Sequence, residues 1–146
     1  MTRKLLYLLA ATAICSAASP ALAGSFVNDL TPFLVASPRH YTGHCPGVIT
    51  FNGSIHVKGT FTSGSSVEIG YQFTRSDGAT GQNQFVSVTH AGPQAISETW
   101  TLGDKVKLPT YVGWEKVKVW VTDSGQHPPG LVPVYSNEAH FRLVCT

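Results

Sequence analysis

Residues 48–57 read VITFNGSIHV. Ile49, Phe51, Gly53, Ile55 and Val57 alternate with Thr50, Asn52, Ser54 and His56. Successive side chains of an extended chain point to opposite faces, so this period of two is that of a strand with one face in a core and the other in water. A helix would need its apolar residues three and four apart.

The same pattern recurs downstream. SVEIGYQFTR, 66–75, sets Val67, Ile69, Tyr71 and Phe73 inward, with Glu68, Gly70, Gln72 and Thr74 outward. The Asp77-Gly78 pair in SDGATG then marks a turn. QFVSVTH, 84–90, carries Val86 and Val88 in phase, and a Gly92-Pro93 turn follows. AISETWTL, 95–102, places Ile96, Trp100 and Leu102 on one face, interrupted by Glu98. GWEKVKVWVT, 113–122, turns Val117, Val119 and Val121 inward, and NEAHFRLVC, 137–145, does so with Ala139, Phe141, Leu143 and Cys145. The loop DSGQHPPG, 123–130, is too rich in Pro and Gly for a sheet interior. Trp100 and Trp114 are expected in the core, with Gly53 making room for one of them. No amphipathic helix, internal repeat or low-complexity segment is evident.

About seven short strands with no helix between them predict an all-β fold, an antiparallel immunoglobulin-like β-sandwich over residues 45–146. Residues 24–44 read as an N-terminal arm. Its one edge strand would lie around Phe33-Leu34-Val35, bounded by Pro32 and Pro38.

Residues 1–23 have the three parts of a Sec signal peptide. Arg3 and Lys4 start it, an apolar run of about 14 residues follows, and Ala21-Leu22-Ala23 ends it as a cleavage motif. The apolar run falls short of the ~20 residues that span a bilayer. The expected product is secreted or periplasmic and begins at Gly24. Loss of Arg3 and Lys4 takes the formal net charge from +2 to zero. Nucleic-acid binding needs a basic patch to neutralise phosphates, and no such patch is visible. Anionic-membrane binding loses support for the same reason.

Two cysteines remain, Cys45 and Cys145. In an oxidising compartment an even pair reads as a disulfide, with two free thiols as the rival. Both share parity with the inward set of their strands. A loop of about 100 residues would stabilise by ~4–5 kcal/mol in the chain-entropy model.

The runs CPGVITFNGSI, VEIGYQFTRSDGA, GWEKVKV and SNEAHFRLVC carry a further likeness. From Cys45 to Cys145 the chain resembles an immunoglobulin-like or fibronectin-type-III-like family of small secreted bacterial proteins without an assigned activity. The resemblance implies the sandwich and a bacterial source, and implies no catalytic residues.

The residues bear on three kinds of chemistry. RHYTGHC, 39–45, offers His40, His44 and Cys45 as zinc or copper ligands. However, His40 and His44 are four apart, which converges only on a helix, and Pro38, Gly43 and Pro46 argue against one. A secreted hydrolase would need a site assembled by the fold, since neither a G-x-S-x-G elbow nor an H-E-x-x-H pair is present. A glycosidase needs two opposed carboxylates, and the eight acids read as scattered over turns and outward positions. No cofactor is called for.

The recognition candidates are Trp120, Lys116 and Lys118, on the outward face of 113–122, and the loop 123–130. An exposed tryptophan anchors protein or sugar partners. Equally, Trp120 could cover Gly70 if its strand lies beside 66–75. The sequence therefore points to an exported, non-catalytic binding or structural domain that contacts a protein or glycan.

Overall fold

The computed structural model describes residues 24–146; the signal peptide expected over 1–23 lies outside them. Among the described residues nine strands form in chain order: β1 (Phe26–Ser37), β2 (His40–Gly43), β3 (Gly47–Thr60), β4 (Val67–Arg75), β5 (Gln84–Val88), β6 (Gly92–Leu102), β7 (Thr110–Val121), β8 (Val134–Tyr135) and β9 (Ala139–Cys145). One 3-10 turn, Ser124–Gln126, sits in the loop after β7.

They pair into two sheets. The first has the order β1-β3-β6, and the second β2-β9-β7-β4-β5, with β8 beside β7. All pairings are antiparallel except β2 with β9. This is the expected immunoglobulin-like sandwich, with the short β2 and β8 added to the seven strands read from the pattern.

The period-two reading holds along β3, where Ile49, Phe51, Ile55 and Val57 are fully buried. The facing sheet answers with Val67, Ile69, Phe73, Val117 and Val119, also fully buried. At the centre, the Phe51 ring lies 4.7 Å from Trp100 and 5.5 Å from Phe141, centroid to centroid. Tilted and edge-on contacts of this kind suit the ring quadrupoles and add to the burial of area.

The arm is more extensive than a short edge strand. β1 runs twelve residues along β3 and buries Val27, Leu30, Leu34 and Ala36 in the core. It remains an edge strand, and its edge is closed in two ways. Pro32 has no N–H to offer a neighbour. At Leu34, the Asn137 side chain plays the part of a paired strand: the Leu34 N–H donates to Asn137 Oδ1 (3.0 Å), and Asn137 Nδ2 donates to the Leu34 carbonyl (2.8 Å).

Gly53 does not make room for a tryptophan. It faces β1, where an added Cβ would run into the Phe33 carbonyl oxygen, so its lack of a side chain lets the two strands approach. Cys45 and Cys145 form the expected disulfide, with Cα atoms 5.4 Å apart. It ties the segment entering β3 to the end of β9.

Candidate functional site

β7 carries charged residues on both of its faces. Outward, Trp114, Lys116, Lys118 and Trp120 alternate with the buried Val117, Val119 and Val121. Trp114 thus belongs to the lysine face and not to the core, contrary to the expectation from its size. It is two residues from Lys116, and that spacing fixes its side.

The β4–β7 register sets Trp120 directly opposite Gly70. A Cβ on Gly70 would collide with the indole, so the ring lies flat over that backbone. Phe85 of β5 meets the same indole edge-on at 6.2 Å and is itself 54% exposed. The Lys118 ammonium sits 5.8 Å from the Trp120 ring centre. Lys116 lies 5.1 Å from Trp114 and 5.5 Å from Tyr135. Tyr135 comes from β8, which pairs with β7 at Lys118 and Val119.

The result is a strip across the outer face: Phe85, Trp120, Tyr135 and Trp114, with two lysines between the rings. Each cation–π contact at such an exposed place contributes only about 0.5–1 kcal/mol. Such contacts do hold the lysines and rings in place. The strip offers flat apolar surfaces interleaved with positive charge.

The loop 123–130 is tied down at the end of β7. The Asp123 carboxylate accepts from the Gly125 N–H at 2.8 Å, and Gln126 Nε2 donates to the Ser66 carbonyl at 3.1 Å. It brackets the Trp120 end of the strip.

Inward, β7 carries Glu115, fully buried. Here the acids are not scattered. Glu98 of β6 and Glu115 meet across the two sheets, and the Trp100 indole N–H donates to both, at 3.3 and 3.2 Å. The Arg75 guanidinium lies over the Trp100 ring at 4.2 Å and pairs with Asp77 at 3.0 Å. Arg75 Nε is buried without a hydrogen-bond partner, and no N–H or hydroxyl donor reaches Glu115 Oε2.

One N–H cannot offset a fully buried negative charge beside a second carboxylate. Burial foremost, then hydrogen bonding to Glu98 and its charge, push the Glu115 carboxyl up to about 10, against the smaller opposing pull of Trp100 and Arg75. Glu115 is therefore a neutral acid at neutral pH, hydrogen-bonded to its partner carboxylate. A cleft of about 320 Å³ opens above Glu98, lined by Arg75, Thr80 and Gly81. Glu115 itself is sealed beneath Trp100. Two hydrogen-bonded carboxyls, one of them inaccessible, do not have the ~5–9 Å opposed spacing that glycoside hydrolysis uses.

The sequence reading missed this pair because each acid was judged on its own strand. The signal was present: Glu98 falls in phase with Ile96 and Trp100, and Glu115 with Val117. Two inward acids on separate strands call for each other.

Among the described residues the histidines gather into no ligand set, although His40 and His140 line one groove. His40 pairs with Arg142 across β2 and β9, and the carbonyl of His44 accepts from the Tyr41 hydroxyl at 2.6 Å. His140 pairs with Glu138 at 3.2 Å. Cys45 is held in the disulfide. Among the described residues, no three His, Cys, Asp or Glu side chains converge as metal ligands, and no serine hydroxyl bonds a histidine.

No family model and no curated protein matches the sequence. Solved structures do resemble it. The CARDB domain of a Pyrococcus furiosus protein, solved in complex with di-metal ions, matches with a TM-score of 0.51 at 14% identity, over 82% of this chain and 94% of that one. That neighbour is an immunoglobulin-like sandwich, and the likeness supports the fold. The alkylpurine DNA glycosylase AlkC of Pseudomonas fluorescens, bound to DNA containing an abasic site analog, matches with a TM-score of 0.43 at 14% identity. This chain covers 31% of it, and the likeness is too slight to carry weight.

Proposed function

We propose that this protein is an exported, non-catalytic binding domain. The outer face of its larger sheet would dock a glycan carrying acidic groups. The observation that supports this reading is the strip in which Lys116 lies between Trp114 and Tyr135 and Lys118 lies over Trp120. Flat aromatic rings suit sugar faces, and the interleaved ammonium groups suit carboxylate or sulfate substituents. Export rests on the signal peptide read over 1–23 and agrees with the disulfide. No helix among the described residues is long and apolar enough to cross a membrane.

An array of acidic and neutral polysaccharides, probed with the chain from Gly24 onward, tests this reading. Wild-type protein should bind the acidic set, and Lys116→Glu with Lys118→Glu should abolish binding while the fold stays intact. Binding that ignores the two lysines, or no binding beside capture of an envelope protein in a pull-down, would replace the glycan with another partner.

A further inference from the structure

A concave surface lies on the β9 side of β7, beside the strip. A groove of about 520 Å³ runs between β1 and β9, within the ~300–1,000 Å³ typical of small-ligand sites. Its walls are apolar: Phe33, Leu34 and Val35 from β1, Val112 from β7, and Ala139 and Phe141 from β9. Phe33 is 54% exposed and Val112 69% exposed. Strand alternation alone would set polar residues at such outward positions.

Its rim is cationic. Arg39, His40 and Arg142 come together where β2 begins, since His40 is paired with Arg142 and the Arg142 N–H donates to the Arg39 carbonyl at 2.8 Å. Neither arginine makes an ion pair among the described residues. Among the lining residues the acid is Glu138, whose carboxylate lies 3.2 Å from the His140 ring, a contact that is ionic only when the imidazole is protonated. The apolar trough thus carries two guanidinium groups that no carboxylate pairs.

We propose that this groove binds a free single-chain anionic amphiphile, an alkyl chain ending in a carboxylate. The chain lies along Phe33, Val35 and Val112, and the head group meets Arg39 and Arg142. The guanidinium fork matches a carboxylate with two parallel N–H···O bonds. A peptide strand is the poorer occupant. The free edge of β1 is already taken at Leu34 by Asn137, which engages both the N–H and the carbonyl, so main-chain pairing is not on offer there. The proposal does not rest on the glycan reading: the groove lies on the β9 and β2 side of the outer face and the strip on its β4 and β5 side, and they adjoin where Trp114 faces His140.

Calorimetric titration decides it, with dodecanoate and dodecyltrimethylammonium each kept below its micelle concentration. Dodecanoate should bind saturably at one site, and the cationic analogue at least tenfold more weakly. Arg39→Gln with Arg142→Gln should weaken dodecanoate at least tenfold. Phe33→Ser, a change at an exposed position, should weaken it several-fold and serves if the double variant fails to fold. Lys116→Glu with Lys118→Glu should leave it unchanged. Absence of saturable binding, equal affinity for the two head groups, or indifference to both groove variants would overturn the proposal. So would capture of an acidic amphipathic peptide by a protein that ignores dodecanoate.

Discussion

Glu115 and Lys116 are neighbours in the chain, yet they show the two fates of a charged side chain in a sandwich. Glu115 points between the sheets and gives up its charge; Lys116 points to water, keeps its charge and lies against aromatic rings. One residue of offset along β7 decides which happens, because the faces of a strand alternate. A charge between sheets is costly to desolvate, so the proton stays on. On the outer face water screens the charge, so lysine can serve as a contact instead of a liability.

The inner side breaks most severely. Phe51→Ala removes the ring that meets both Trp100 and Phe141 and should cost about 3–5 kcal/mol, read as a lower urea midpoint. The Glu98–Trp100–Glu115 arrangement rests on that packing, so any alkaline loss of stability should also become less cooperative.

Glu115→Gln sharpens the contrast without removing atoms. The folded-state pKa of Glu115 is raised far above the unfolded value of about 4.3, so the folded state holds the proton more tightly. Its contribution to stability is therefore complete below about pH 4 and is lost as pH rises through the window up to about 10. The slope is at most ~1.4 kcal/mol per pH unit. Glutamine keeps the acceptor for Trp100 and a donor for Glu98 and does not titrate. The variant should match wild type near pH 4 and become progressively the more stable toward pH 8–9, by no more than ~1.4 kcal/mol for each pH unit crossed. Thermal melts across pH 4–9 measure this. Parallel curves for the two proteins would show that Glu115 is ionised in the fold.

On the outer face the effects are smaller. Gly70→Ala forces the Trp120 indole off the β4 backbone and should cost about 1–3 kcal/mol. Tryptophan fluorescence should shift to the red as the ring meets water. Lys116→Glu with Lys118→Glu should move stability by no more than about 0.5 kcal/mol, as exposed substitutions do. If it destabilised as much as Phe51→Ala, the strip would be structural and the contrast between the faces would fail.

The strands were legible because their evidence is local. The alternation in VITFNGSIHV needs no knowledge of neighbours, and the valines of 117, 119 and 121 place their strand unaided. The same counting, applied strictly, puts Trp114 with the lysines; its size misled. The length of β1 was hidden because Pro32 and Pro38 read as boundaries. On an edge, a proline costs only a donor that has no strand partner.

The β-sandwich class, the inward and outward faces, and two cysteines whose parity allows a bond can all be read along the chain. Each follows from period two along a single strand. Which strands lie side by side is settled by folding. Register across β4 and β7 set Trp120 over Gly70, and the stacking of two sheets brought Glu98 to Glu115. Folding of β1 against β3 and past β9 left a cation-rimmed groove. Pairing joins residues distant in the chain, and the pattern of one strand does not say which other strand it meets.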